Sequence, residues 1–539
     1  MPTAARPNKP AAAPLAMGAT ARTHSHTGAT AWLDMRAIAR FNMRAVARLN
    51  TRAIARLNMR AIARCDVGAV RRLGLWHGPS SAGDRWALGA VVALVGVAAL
   101  AGALLGWAGR PVHAPAAPLF GHVLPHVGPG TPAAVALALA VIRWGPGLAE
   151  RLPWRRMLAV TWAASVAWTF ALALVDGWQR GLAGRLTTEY EYLAEVPGVA
   201  DTGAMLRGFT DRIVEGGPDP WTTHVAGHPP GALLVFVGLD RLGLSGGGWA
   251  AIVCILAGSL ATVAIAITLR TLGEERAARI AAPFLVLFPG AVWMGASADG
   301  LFAGAAAGAF ALFAVGLSRS SWVAAVTGGA GLAACVYLSY GLVLLALPAA
   351  ALIALNHRRR IRTASGRTIA SPPSAPTIAS ARPDPGRSIA RPVLAAAVGA
   401  VAVVAVMTLL GFRWWEGYHL VRVRYYQGLA SARPYAYWVW ANLAALALCA
   451  GPAAAAILRR AAVRIRRSPV AALAVAWVAA ALAADLSGLS KAEVERIWLP
   501  FAVWLPAAAA LLPRPDRRFW LIVQAGTALL VNHLVLTAW

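Results

Sequence analysis

The stretch LGEERAARIAAPFLVLFPGAVWMGASADGLFAG, Leu272 to Gly304, holds in order the parts from which the whole chain is built. Arg276 and Arg279, following Arg270, make a basic turn. An apolar run from Ala278 to Met294 comes next, of the length that crosses roughly 30 Å of hydrocarbon. Asp299 then opens a second run, Ala298 to Leu317. Short loops rich in arginine stay in the cytoplasm, so the basic turn sets the orientation of this pair of apolar runs and puts Asp299 at the outer end.

The pattern repeats outward in both directions. Of 539 residues, 58% are hydrophobic and 13% charged, with a mean hydropathy of +0.59, which excludes a soluble globular domain of this size. Further apolar runs extend from Trp86 to Trp107, Pro132 to Trp144, Met157 to Val175, Trp249 to Leu269, Trp322 to Tyr340, Gly341 to Asn356, Val393 to Phe412, Tyr437 to Leu458, Pro469 to Leu486, Ile497 to Leu512 and Phe519 to Trp539. The predicted fold is all-α, a polytopic transmembrane helical bundle of about thirteen spans with a juxtamembrane helical outer loop. The net charge of +28 resides almost wholly in arginine, Lys9 and Lys491 being the two lysines. These arginines fall in short clusters between apolar runs, as topology signals do, and no aromatic-basic module for nucleic acid accompanies them. Arginine for lysine together with abundant alanine is the codon signature of a high-GC genome of the actinobacterial kind. Cys254, Cys335 and Cys449 lie in apolar runs and Cys65 in a basic segment, with no zinc or disulfide spacing.

Four regions follow. Residues 1–84 form a basic tail in which an octapeptide recurs (MRAIARFN, MRAVARLN, TRAIARLN, MRAIARCD), placing arginine at every fourth position from Arg36 to Arg64. A helix on anionic lipid and an expanded minisatellite both account for it, and the perfection of the repeat favours the second. Residues 85–357 are an N-terminal set of membrane helices with an outer loop at 179–248. Residues 358–392, rich in Pro and Ser, read as a disordered cytoplasmic linker. Residues 393–539 are a second membrane set. The arginine clusters fall on one side, with the N-terminus cytoplasmic, only if Gly231 to Leu244 does not cross; it is read as a surface helix introduced by Pro229-Pro230.

Three polar patches then face outward. The loop holds Glu189, Glu191, Glu195, Asp201, Asp211, Glu215 and Asp219, with His224 and His228 at its end. A second patch, Arg413 to Trp438, mixes Arg422 and Arg424 with tyrosines and tryptophans. A third, Asp485 to Trp498, carries Lys491, Glu493 and Arg496. For most of the loop acids a solvated surface suffices. His228 either binds substrate or caps the helix after it, Lys491 to Arg496 can be helix-end ion pairs, and Asp299 can complement a helix dipole. Trp414, Trp415, Tyr425 and Tyr426 suit the membrane interface.

The order Glu189-Tyr190-Glu191-Tyr192, then His228-Pro229-Pro230-Gly231, then Ser297-x-Asp299-x-Leu301-Phe302 resembles the GT-C superfamily of polyprenyl-phosphate-sugar glycosyltransferases. Its acidic motif is usually aspartate, and a lysine precedes Pro-Pro in some branches; here glutamates and a histidine stand there. The resemblance implies an inverting glycosyltransferase of the bacterial inner membrane, with its active site extracytoplasmic. Mannosyl and arabinosyl transfer are among the activities it allows. Its donor would be a polyprenyl-phosphate sugar and its acceptor a glycan, lipid or protein. Glu189 or Glu191 would be the base, or a ligand if a divalent cation (Mg or Mn) is used. His224, His228, Asp299, Arg422, Arg424, Lys491, Glu493 and Arg496 would bind substrate. Such chemistry needs a carboxylate to take the acceptor proton and a cation for the departing phosphate. The competing reading is a transporter or flippase of lipid-linked glycans, which would place ionisable groups at the bilayer midplane. The confident spans are nearly free of them. A scaffold without catalysis is the third reading.

Overall fold

The computed structural model describes residues 78–367 and 388–538, so the octapeptide repeat and most of the Pro/Ser-rich linker lie outside the described residues. Backbone in hydrocarbon has to satisfy its own N–H and C=O groups, and the apolar runs accordingly form helices. In chain order these are α1 (Ala82–Trp107), α2 (Thr131–Arg151), α3 (Trp154–Ala173), α4 (Pro230–Arg241), α5 (Gly247–Thr271), α6 (Glu275–Val286), α7 (Ala298–Arg319) and α8 (Trp322–Val336). There follow α9 (Ala346–Arg367), α10 (Ala390–Leu409), α11 (Trp414–Gln427), α12 (Tyr435–Ala450), α13 (Ala453–Ala462), α14 (Pro469–Leu486) and α15 (Arg517–Leu534). Serine side chains cap several starts: Ser297, Ser321 and Ser468 accept from the N–H three residues on, in α7, α8 and α14.

Among the described residues eight helices are long and apolar enough to cross a membrane, or nine if α12 and α13, bent by 106° at Gly451-Pro452, count as one. The chain is a multi-pass membrane protein. Others of the roughly thirteen expected runs are shorter or broken. The run 278–294 breaks at Pro289-Gly290 into α6 and the short helix Ala291–Met294. The run 497–512 becomes the short turns Leu499–Ala502 and Leu505–Leu511, each restarted by a proline in its first turn. At 322–340 the helix α8 has 15 residues. The last run ends as a helix at Leu534, and its remainder forms a strand, β2 (Val535–Thr537), antiparallel to β1 (Gly121–Val123) with Gly121 opposite Thr537. Alternation of apolar residues was too short there to announce a strand.

Two ends of the bundle differ in charge. At one, arginines satisfy the last carbonyls of neighbouring helices: Arg359 donates to Thr271 O of α5 (2.5 Å), Arg360 to Leu317 O of α7 (2.7 Å), and Arg279 to Ala149 O of α2 (2.8 Å). Helix C-termini leave such carbonyls unpaired, and a guanidinium suits both the hydrogen bond and the dipole. Arg459 and Arg460 there enclose the buried Asp84 of α1 at 2.6 and 2.7 Å. The cluster Arg358 to Arg362 lies within α9, which runs to Arg367. The opposite end carries Asp299, the loop 174–230 and both strands. There α4 begins with Gly231 against Tyr337 and finishes with Arg241 donating to Ala200 O at 3.0 Å, so it lies along that end without crossing.

Small residues let the helices approach. A Cβ at Gly304 of α7 would run into the carbonyl oxygen of Ala257 in α5, and one at Gly329 of α8 into that of Ala396 in α10. Gly304→Ala is expected to cost about 1–3 kcal/mol through overpacking. Gly308→Ala, at a position with open space on the same helix, should cost nothing or stabilise. Thermal unfolding in detergent compares them, and equal melting temperatures would contradict this contact.

Candidate active site

Glu189 and Glu191 are separated by the turn that carries them. The Glu191 N–H donates to Thr188 O at 3.0 Å, and Tyr192 behind it is buried, so the chain folds inward after an exposed Glu189. Glu191 is 4% exposed. Its carboxylate lies 3.7 Å from His224 Nε2, an electrostatic pair longer than a hydrogen bond.

Asp299 reaches the same place from the first turn of α7, where the helix dipole favours a carboxylate. Its Oδ2 accepts from Arg496 Nη1 at 2.6 Å. Arg496 also donates to Glu493 at 2.9 Å, and Glu493 accepts from Arg433 at 2.9 Å. Ala492 and Glu493 both have positive φ, 70° and 62°, a strained turn that aims Glu493 at the two guanidiniums. Glu495, fully buried, accepts from the Phe120 N–H at 2.7 Å.

The electrostatics follow from burial. Loss of water pushes Glu191 up to about 7, with Arg496 opposing and Asp299 adding to the rise. Burial likewise lifts Glu495 to about 7, against the Phe120 N–H. For Glu493 burial is outweighed by Arg496 and Arg433, which hold it below the usual carboxylate range. Burial works against charge on Arg496 too, yet Asp299, Glu493 and Glu191 keep it more firmly protonated than usual. Burial also lowers both histidines. His228 Nδ1 faces the His224 carbonyl at 2.8 Å, an acceptor only, so Nδ1 carries the proton and Nε2 is the basic nitrogen of the neutral ring. His228 therefore does not cap α4, whose N-cap is Pro229 with no side-chain bond.

No family profile matches the chain. Nor does any curated protein sequence. Among solved structures, the oligosaccharyltransferase of Archaeoglobus fulgidus, determined with a tethered acceptor peptide containing the sequon NVT, is similar at a TM-score of 0.34 and 14% identity. The match covers 66% of this chain and 49% of that one, so the chain spans about half the length of that protein. The site is therefore read from its own residues.

Of the residues singled out from sequence, Glu191, His224, His228, Asp299, Glu493 and Arg496 converge, from three segments far apart in the chain. Glu189 does not; it is exposed beside Tyr190. Arg422 is exposed on α11, and Arg424 pairs with Glu215. Lys491 gives its ammonium to Ala430 O (2.8 Å) and Arg433 O (3.2 Å) and lies 5.0 Å over the Tyr426 ring, which ties it to the 428–434 turn. Tyr425 and Tyr426 thus hold that turn, Tyr425 accepting from the Lys491 N–H at 2.8 Å. Arg433 and Glu495 were not among the candidates. Arg433 stood within the aromatic-basic patch; Glu495 differed from its neighbours in no way visible in sequence. Glu189 and Glu191 do not share an environment, and no group of three His, Cys, Asp or Glu side chains among the described residues is gathered so as to hold a metal ion.

A pH signature follows. Glu191 and Glu495 have folded pKa values near 7, above the 4.5 of a free glutamate. A raised folded pKa gives stability that is full below about 4.5 and lost as pH rises through about 7. Thermal stability in detergent is expected to fall between about pH 5 and 8, and Glu495→Gln should flatten the fall. An unchanged slope in that variant would contradict the rise that burial gives Glu495.

Proposed function

We propose that the chain is an inverting glycosyltransferase that moves a sugar from a polyprenyl-phosphate donor to a glycan, lipid or protein acceptor on the extracytoplasmic face of a bacterial inner membrane. One observation carries the reading: Glu191, Asp299 and Arg496 meet in one buried cluster at the end of the bundle opposite the arginine-capped helix termini. A transporter would place its ionisable groups on broken helices at mid-depth, whereas this cluster is built on a loop, a helix start and a turn.

In this reaction Glu191, as carboxylate, takes the proton of the acceptor hydroxyl. The oxygen attacks the anomeric carbon from the face opposite the phosphate, the bond from that carbon to the phosphate oxygen breaks, and polyprenyl phosphate leaves with the electron pair. A base with pKa near 7 is suited to neutral pH because it is ionised yet still basic. Arg496 supplies the buried cation for the leaving phosphate, and Arg422, exposed on α11, is the candidate for a second. Asp299 and Glu493 orient Arg496.

The test is the full-length protein in proteoliposomes with radiolabelled polyprenyl-phosphate sugars. The reading expects label to leave the lipid phosphate and enter an acceptor. Label that stays on the lipid and only changes leaflet would establish the transporter instead.

A further inference from the structure

Tyr192 lies at the centre of the histidine pair. Its ring centroid is 6.2 Å from that of His224, 5.7 Å from His228 and 5.2 Å from Phe236, and the residue is 1% exposed. Its hydroxyl is buried and has no hydrogen-bond partner among the described residues. His224, one of its ring neighbours, lies 3.7 Å from the Glu191 carboxylate, which sets Tyr192 beside the cluster. Leaving a buried hydroxyl unpaired is unfavourable, and phenylalanine would fill the same space without that cost. Packing therefore accounts for the ring but not for the oxygen.

We propose that the Tyr192 hydroxyl hydrogen-bonds a hydroxyl of the sugar held at the Glu191, Asp299 and Arg496 cluster, making Tyr192 a specificity-determining residue. This rests on the glycosyl-transfer reading above. Donor and acceptor capacity decides between the oxygens of such a donor: a sugar hydroxyl can accept from Tyr192 and donate to a carboxylate, satisfying both sides, whereas a phosphate oxygen only accepts and is held by Arg496. A site built around a substrate hydroxyl also rejects an analogue that lacks it, because the protein group is then left unpaired.

The experiment compares full-length wild type with Tyr192→Phe in detergent and in proteoliposomes. Without ligand, Tyr192→Phe should melt at or above the wild-type temperature; a lower melting temperature would show that the hydroxyl already has a partner, and would overturn the proposal. With a donor that wild type accepts, transfer should fall about tenfold or more. With a set of deoxy-sugar donors, each lacking one hydroxyl, one donor should be used equally by both proteins, which identifies the bonded hydroxyl. Equal transfer by both proteins from every donor, or the same loss with every deoxy donor, overturns the proposal and leaves the glycosyl-transfer reading standing. If wild type transfers none of the sugars, that reading fails and the proposal falls with it.

Discussion

Glu191→Gln should lower sugar transfer by about 10²–10⁴-fold, the usual weight of a general base, while Glu189→Gln stays close to wild type. Glutamine keeps the shape of the side chain in its buried position and removes only the ability to take a proton. Stability should not suffer, because burial already pushes Glu191 up to about 7 and the neutral form fits its surroundings. The residual wild-type rate should rise with pH through about 7, where the carboxylate forms, as stability declines. The pair of readouts matters: an inactive Glu191→Gln protein that also melts early would have lost its fold and not its base. Undiminished transfer in Glu191→Gln, or equal damage from Glu189→Gln, would sink the assignment.

Arg496→Ala is expected to destabilise the protein by about 3–5 kcal/mol, the cost of leaving buried carboxylates uncompensated. Asp299, at 2.6 Å, would lose its guanidinium, and Glu493, at 2.9 Å, would keep only Arg433 of the two that hold it ionised. Adding Asp299→Asn to Arg496→Ala should recover part of the loss, since an amide is far cheaper to bury than an unpaired charge. Thermal unfolding of the two single variants and the double variant measures the coupling. Strictly additive losses would show that Asp299 and Arg496 do not depend on one another.

Much of the fold was legible because lipid imposes a simple rule. Apolar runs of spanning length become helices, and many arginines gather at one end, so the paths of α1, α5, α7, α10 and α14 could be read directly. The rule fails where helices are neither uniform nor lipid-facing. The runs 278–294 and 497–512 are enclosed by other helices, largely buried, and broken at prolines, because protein neighbours can satisfy backbone groups that lipid cannot. Arg358 to Arg362 read as the edge of a linker because the carbonyls that Arg359 and Arg360 cap belong to helices dozens of residues away.

The site was legible as a set of ingredients and not as an arrangement. Sequence by itself determined that acids, histidines and a basic turn stand between apolar helices, and that they share one end once the arginines are aligned. Only the tertiary structure separated Glu191 from Glu189, two positions apart and identical in type, because the choice depends on which side chain the turn after Thr188 carries inward behind Tyr192. It also assigned Lys491 to a backbone turn and Arg496 to the carboxylates, and brought Arg433, Glu495 and Tyr192 into view. The physical reason is range. Hydropathy and charge bias are summed over a segment and survive in its sequence, whereas the ionisation of Glu191 and the pairing of Arg496 are set within a few ångströms by residues hundreds of positions apart.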